Sequence, residues 1–298
     1  MAILISAAFV GLMLGCVYAL MAFGIVASYR ISRVVNLGVA GIGAWTSGVY
    51  WWMADRWGAP LFVALVIAVL IGTAMGGGLG FMVLRMKAWP PGLLMIITLA
   101  ITLLLFYSVD VQWLHSWCAT ACSVPSPFGD GGFTVFYAVV NWADLGTFIT
   151  CIGVAGVLTF LMRGTRFGLF SRAIYDDPPG AATLGIPFNF AVVGVWALSG
   201  ALAALGGVLV SHRTLLQPEL LLFVAVWGLA GATLGGLESF VLAFCGGLSI
   251  GLAEGIIGGD LGTSLPPGVE NLGAVSVMGL AVMYAGWKRR GKITEVTA

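Results

Sequence analysis

The stretch PLFVALVIAVLIGTAMGGGLGFMVL occupies residues 60–84 and contains no charged side chain in 25 consecutive positions. About 20 apolar residues are enough for an α-helix to cross the hydrocarbon core of a bilayer. Because no water is present there to hydrogen-bond exposed backbone amides, such a segment crosses as a helix. Residues 60–84 therefore predict a membrane-spanning helix.

Eight further segments share this apolar character and a comparable length. They predict an all-α fold, a polytopic membrane helical bundle of about 8–10 transmembrane helices that forms a single domain over residues 1–298. The range allows for a glycine-broken segment that re-enters the membrane instead of crossing it. The nine segments are residues 2–29, 37–53, 60–84, 92–109, 145–162, 188–210, 219–237, 239–257 and 271–287.

The composition excludes a soluble domain. Charged residues make up only 8% of the chain, whereas a soluble domain carries about 25%. The net charge of +1 gives no indication of a nucleic-acid partner. Because the segments are apolar and charge is scarce, we expect membrane lipid to surround the chain. The first apolar run exceeds the ~7–15 residues of a signal-peptide core, so we expect it to remain as a spanning helix.

Basic residues predict the orientation. When the nine segments are followed alternately, 11 of the 13 basic residues fall on one face, and only Arg56 and Arg213 fall on the other. Lysine and arginine accumulate in cytoplasmic connections, so the N-terminus is expected outside and the C-terminus in the cytoplasm. The first face carries Arg30, Arg33, Arg85, Lys87, Arg163, Arg166, Arg172, Lys288, Arg289, Arg290 and Lys292.

Two connections are long enough to carry function. Residues 110–144 form an extracytoplasmic loop in this topology, and residues 163–187 form a cytoplasmic segment with five charged residues. The cytoplasmic segment reads as two short helices, the second capped by Asp176 or Asp177 and closed by Gly185. It is either a docking surface for a partner or an ordinary solvated loop.

Signatures of enzymes and cofactors are absent from the sequence. There is no Walker A loop for ATP and no H-E-x-x-H motif, so we predict no catalytic residue, no cofactor and no metal site. Cys118 and Cys122 lie in the outer loop, where an oxidising compartment permits a disulfide. Two free thiols are the alternative.

Glu254 is the deepest acidic residue in the apolar segments. An intramembrane carboxylate is costly and often functional, although a structural pairing across helices is an equal alternative. The glycines Gly72, Gly76, Gly80, Gly200, Gly206 and Gly207 fit close packing between helices. The second interpretation is that glycines act as hinges in a conformational change, and the sequence favours it most around Gly38, Gly41 and Gly43.

Two motifs together resemble a known family. Residues 18–24 read YALMAFG, and residues 165–186 read TRFGLFSRAIYDDPPGAATLGI. In this order they resemble the permeases of ABC importers of the branched-chain amino acid type, in which the second motif couples the permease to its ATPase. Asn36-Leu37-Gly38 and Gly43-Ala44-Trp45 resemble a further family stretch, whereas Glu238 stands where the family usually has Gly or Ser.

The resemblance implies a permease subunit that moves a branched-chain amino acid or a related amino acid, amide or urea. It implies cytoplasmic ATPase subunits, a second permease that is similar or identical, and an extracytoplasmic substrate-binding protein, in the inner membrane of a prokaryote. Asn36, Gly43 and Glu254 are the expected pathway residues. The expected ATPase-coupling residues are Arg166, Gly168, Arg172, Ala173, Asp176, Asp177, Ala181, Ala182, Leu184 and Gly185.

A self-sufficient secondary transporter or channel is the alternative function. Such a protein usually needs ionisable groups inside the membrane for its coupling ion. Only Glu254 clearly meets this requirement, so the sequence favours an energy source outside this chain.

Overall fold

The computed structural model describes residues 2–111, 122–129, 131–135, 138–214 and 216–258, together with residues 275, 276, 279 and 283. Ten helices and one hairpin are formed by these residues. The helices are α1 (Ala2–Ser32), α2 (Gly38–Trp51), α3 (Leu61–Arg85), α4 (Pro91–Val109), α5 (Trp142–Gly164), α6 (Arg166–Asp176), α7 (Pro178–Thr183), α8 (Phe188–Thr214), α9 (Pro218–Leu234) and α10 (Phe240–Ile256).

The predicted helical bundle is confirmed. Eight of the nine apolar segments form helices, and the ninth, residues 271–287, lies mostly outside the described residues. Five helices, α1, α3, α4, α5 and α8, are long and apolar enough to cross a membrane, while α9 and α10 are shorter apolar helices. The chain is therefore a multi-pass membrane protein.

Local sequence sets several helix starts. Pro91 and Pro218 open α4 and α9, where the missing proline N–H has no intrahelical partner to lose. Ser239 caps α10 by accepting a hydrogen bond of 3.3 Å from the Leu242 N–H. The loop before α5 contains an antiparallel hairpin, β1 (Gly132–Val135) and β2 (Ala138–Asn141), which the sequence did not predict.

Helix α1 forms the centre of the bundle and packs against α8, α9 and α10. Its contact with α10 uses small residues, because a Cβ added at Gly15 would lie only 2.9 Å from the Leu248 Cα. The contact of α3 with α8 is equally close, since a Cβ on Gly76 would lie 2.8 Å from the Gly200 Cα. The close helix packing predicted at Gly76 and Gly200 is therefore observed.

Helix α2 differs from its prediction as a full span. It contains 14 residues and is about 21 Å long at 1.5 Å per residue, less than the ~30 Å of the hydrocarbon core. A π-helical turn, Trp52–Arg56, extends it at one end. Its other end begins inside the bundle, where Gly38 to Ala44 are all buried.

Candidate functional site

The segment between α5 and α8 contains the two short helices expected from its sequence. Thr165 caps α6, and its hydroxyl oxygen accepts a hydrogen bond of 3.4 Å from the Gly168 N–H. Asp177 caps α7, accepting from the Gly180 N–H at 3.1 Å. Of the two candidate aspartates, Asp177 is the cap, because Asp176 is the last residue of α6.

Gly185 ends α7 as its sequence predicts. It has a φ of +72°, a conformation that residues with a Cβ rarely adopt. The Ile186 N–H donates to the Ala181 carbonyl at 3.1 Å, and the Gly185 N–H donates to the Ala182 carbonyl at 3.1 Å. These two bonds close the end of α7, and α8 begins three residues later at Phe188.

The coupling residues predicted in this segment differ in accessibility. Gly168 and Ala181 are buried and pack within the chain, so they support the segment and do not offer surface to a partner. Leu184 is 80% exposed, although leucine is among the residues most often buried. Ala173 is partly buried, and the exposed residues are Arg166, Arg172, Asp176, Asp177, Ala182 and Gly185.

A second exposed leucine on this surface was missed from the sequence. Leu169 in α6 is 57% exposed. The helical period could have predicted its exposure, because Gly168, Ser171 and Ile174 form the buried face of α6 and Leu169 lies outside that face. Leu169 and Leu184 thus add apolar contacts to a surface otherwise rich in charge.

A cluster of four residues joins α6 to the spanning helices. The Tyr175 ring centroid lies 5.0 Å from the guanidinium carbon of Arg30 and 4.7 Å from that of Arg33. Arg33 Nη1 lies 3.9 Å from Glu238 Oε1, in the turn between α9 and α10. Burial raises the pKa of Tyr175, and the hydrogen bond and charge of Glu238 raise it further. We call Arg30, Arg33, Tyr175 and Glu238 the Tyr175 cluster.

The sequence placed Arg30, Arg33 and Glu238 near one membrane surface without indicating that they meet. A second contact ties α6 to α8, where a Cβ added at Gly194 would lie 2.9 Å from Phe167 Cε2. Helix α6 therefore rests on α1, α5 and α8 at one end of the bundle, and α7 packs against α6. We call this the arginine-rich end.

The connection between α1 and α2 turns back into the bundle. Arg33 has a φ of +57°, which is unusual for a residue with a side chain. The chain then brings Asn36 to α8, where its Nδ2 donates to Ser199 Oγ at 3.1 Å. Ser199 also faces Gly24, which lies eight residues before the end of α1, about 12 Å along the helix. Helix α2 is short because it starts at this depth.

Side chains satisfy the non-helical backbone of this connection. The Asn36 Oδ1 accepts from the Gly38 N–H at 3.0 Å, and the Leu37 N–H donates to Thr98 Oγ1 at 3.3 Å. The Thr102 hydroxyl donates to the Leu37 carbonyl at 2.9 Å. Irregular backbone is tolerated at membrane depth only when it is partnered in this way. Asn36 thus lies at a helix break and also bonds the first turn of α2.

The three expected pathway residues do not form one site. Gly43 packs on α8, because a Cβ on Gly43 would lie 3.0 Å from the Ala203 carbonyl oxygen, and Asn36 bonds the same helix. Glu254 lies on α10 and accepts a hydrogen bond of 2.6 Å from the Tyr18 hydroxyl of α1. The structural alternative for Glu254, a pairing across helices, is therefore observed.

The opposite end of the bundle carries an ion pair and a polar cavity. Arg213 donates from both Nε and Nη2 to the two carboxylate oxygens of Asp144, which is 2% exposed. A cavity of about 590 Å³ lies beside this pair. It is lined in part by Asp55, Ser123, Ser126, Asn141, His212 and Arg213.

The disulfide predicted at this end is only partly described. Cys122 is disulfide-bonded, and Cys118 lies outside the described residues, so their mutual pairing stays a prediction.

The bundle, its buried helix break and its surface segment define a polytopic membrane protein. The chain belongs to the family of branched-chain amino acid transport system permease components, whose family model matches residues 7–285. It is thus a permease component. This confirms the family that the two sequence motifs indicated.

Named relatives cover nearly the whole chain. A high-affinity branched-chain amino acid transport system permease protein LivH from Escherichia coli strain K12 is 27% identical over 97% of this chain and 96% of its own length. A probable branched-chain amino acid transport permease protein LivH from Methanocaldococcus jannaschii is 26% identical over 89% of this chain and 84% of its own length.

The fold also resembles a solved structure. A chain of PsaBC from Streptococcus pneumoniae, determined in complex with Fab, superposes with a TM-score of 0.52. The match covers 91% of this chain and 89% of the other, at 16% sequence identity. At this identity the similarity is one of fold.

Proposed function

We propose that this chain is the transmembrane subunit of an ATP-driven ABC importer in the inner membrane of a prokaryote. The arginine-rich end faces the cytoplasm in this proposal, as the distribution of basic residues predicts. The observation that carries the proposal is the exposed surface of residues 163–187, in which Leu184 is 80% exposed among charged side chains. Such a surface is suited to a protein partner.

Separate ATPase subunits bind this surface and hydrolyse ATP. Movement of α6 reaches α1 and α10 through the Tyr175 cluster, since Tyr175 contacts Arg30 and Arg33 directly. The same movement reaches α8 through Phe167 and Gly194. No residue of this chain performs covalent chemistry in the cycle.

The translocation pathway forms between this chain and a second permease, either a similar chain or a copy of itself. In this proposal the second permease covers the unpacked face of α4, where Leu104 and Tyr107 are 69% and 71% exposed. Asn36 is fully buried, so it reaches the pathway when α2 moves away from α8. An extracytoplasmic binding protein delivers the solute to the opposite end, where the 590 Å³ cavity opens.

The proposed solute is a branched-chain amino acid or a related small amino acid, amide or urea. Within the five described helices that are long enough to span, arginine lies only near helix ends, at Arg30, Arg85, Arg163 and Arg213. The described part of the bundle therefore offers no cationic clamp for a carboxylate at its centre. Weak binding in the pathway leaves solute selection to the binding protein.

Reconstitution tests the energy source. Liposomes containing the full transporter should take up radiolabelled leucine only with ATP and the binding protein, and liposomes with this chain alone should take up none. Accumulation by the chain alone would overturn the proposal in favour of a secondary transporter or channel.

Co-purification tests the docking surface. Leu184→Asp and Asp176→Lys should each reduce ATPase recovery, whereas Arg85→Glu should not, because Arg85 stacks on Phe81 of its own helix. Unchanged recovery with both surface variants would contradict this docking surface.

A further inference from the structure

A cavity of about 480 Å³ opens at the arginine-rich end between α1, α5, α6 and α10. Its mouth is charged, with Arg30, Arg163, Arg172 and Glu238 among the lining residues. Its deeper wall is apolar and includes Phe23, Leu158, Phe240, Val241 and Phe244. The cavity is thus divided into a polar and an apolar part along the direction of the helices.

The mouth carries an excess of positive charge. The lining holds three arginines and one carboxylate, Glu238, which is already within 3.9 Å of Arg33. Asp176, outside the lining, is the second carboxylate that acts on Arg30. The Nε of Arg30 is buried and has no hydrogen-bond partner among the described residues. A buried donor without an acceptor costs about 1–3 kcal/mol, so this group favours an acceptor from outside the chain.

The apolar wall is at membrane level. Phe23, Leu158 and Phe244 belong to the spanning helices α1 and α5 and to the apolar helix α10. Val241 is 63% exposed beside them. A free anion would leave this wall uncovered, and a plain acyl chain would leave three arginines unneutralised. A molecule with an anionic head and an apolar tail matches both parts.

We propose that this cavity binds one anionic phospholipid. Arg30, Arg163 and Arg172 hold its phosphate, in the manner of basic pockets between transmembrane helices, and an acyl chain lies along Val241 and Phe244. Arg172 belongs to α6 and Arg30 to α1. The lipid therefore connects the surface segment to the spanning helices. This inference rests on geometry and charge and is independent of the transport proposal.

Native mass spectrometry of the detergent-extracted protein, with any subunits that accompany it, tests the affinity. Phosphatidylglycerol should bind more tightly than phosphatidylcholine. Each arginine near a bilayer surface contributes about fivefold to the binding of an anionic lipid. Arg163→Gln should thus weaken phosphatidylglycerol binding about fivefold, and the double variant Arg30→Gln/Arg163→Gln should weaken it further.

Arg85→Gln is the matched control, because Arg85 lies at the same end on α3, outside this cavity. Equal binding of the two lipids would overturn the proposal, as would an equal loss in the Arg85 variant. Displacement of phosphatidylglycerol by an equal concentration of inorganic phosphate would also overturn it, since the site would then be one for a free anion.

Photocrosslinking identifies the occupant without removing an arginine. A photoreactive residue at Val241 should label added phosphatidylglycerol in preference to phosphatidylcholine, whereas the same residue at Phe81, 54% exposed on α3, should label both alike. A crosslink from Val241 to residues 271–287 or to a second chain, in place of lipid, would overturn the proposal.

Discussion

The Tyr18 hydroxyl of α1 donates a hydrogen bond of 2.6 Å to the Glu254 carboxylate of α10. The acid that stands out in the apolar sequence is thus bonded across two helices that also pack through glycines. Intramembrane acids that act in ion coupling line an aqueous route or change partners. The bond to Tyr18 instead gives Glu254 a place in the packing of α1 on α10.

Variants of this pair separate packing from transport. Tyr18→Phe should lower stability by about 0.6–2 kcal/mol, the range for hydrogen bonds between membrane helices. Glu254→Gln keeps an acceptor for Tyr18 and should retain ATP-dependent uptake. Thermal unfolding in detergent and uptake in liposomes measure the two effects. Loss of uptake in a stable Glu254→Gln protein would assign Glu254 to transport.

Removal of the Asn36 side chain should destabilise the bundle. Asn36→Ala leaves the buried Gly38 N–H and Ser199 hydroxyl without their observed partner, at about 1–3 kcal/mol for each group. Ser108→Ala is the control, because the Ser108 hydroxyl bonds only a carbonyl of its own helix. Equal melting temperatures for the two variants would contradict this account of the helix break.

The α3–α8 contact should not tolerate a methyl group. A Cβ at Gly200 would meet the Gly72 carbonyl oxygen and the Gly76 backbone, so Gly200→Ala should separate the helices and lower the yield of folded protein. Gly156→Ala on α5 meets nothing within 4 Å and should stabilise by up to about 1 kcal/mol. Size-exclusion profiles and unfolding in detergent compare them.

We expect the Tyr175 cluster to transmit the movement of α6 to the spanning helices, and we do not expect it to be needed for binding of the ATPase. Tyr175→Ala removes both cation–π contacts, each about 0.5–2 kcal/mol, and should lower uptake per ATP hydrolysed while ATPase recovery persists. Tyr175→Phe keeps the ring contacts with both arginines and loses only the hydrogen bond to Glu238, so it should lower this ratio less than Tyr175→Ala. A Tyr175→Ala transporter with an unchanged ratio of uptake to hydrolysis would refute this role.

The Asp144–Arg213 pair should be a strong anchor at the opposite end. Asp144 is 2% exposed, and Asp144→Ala removes both charge-assisted hydrogen bonds from Arg213, which should cost about 1.5–3 kcal/mol. The double variant Asp144→Ala/Arg213→Ala should be milder than the single one. Asp55→Ala breaks an exposed pair with Arg56 and should cost at most about 1 kcal/mol. Unfolding measurements on the four proteins test this.

Features that depend on neighbouring residues could be predicted from the sequence. The apolar runs gave the helices, because crossing a bilayer requires a continuous run. The two-helix surface segment and its closure at Gly185 were predicted as well, since capping involves residues three or four apart. The structure was needed to identify Asp177 and not Asp176 as the cap, because both are suitable cap residues and both lie just before the prolines that begin α7.

Features that depend on distant residues were not predictable. The partners of the α1–α2 connection, Thr98, Thr102 and Ser199, lie 61 to 163 residues away, and no local pattern indicates how deep Asn36 sits. Residues 37–53 were consequently taken for a full span. The Tyr175 cluster is similar, because it joins α6 to α1 and α10 through side chains whose sequence neighbourhoods are unrelated.

The buried break before α2 has a consequence for biosynthesis. An unpartnered polar group in hydrocarbon costs several kcal/mol, and the partner of the Asn36 side-chain amide, Ser199, is 163 residues further along the chain. While the ribosome has not yet made α8, α2 has no stable position inside the bilayer. We expect it to wait near the membrane surface or the translocon and to insert after α8, so assembly does not follow the order of synthesis.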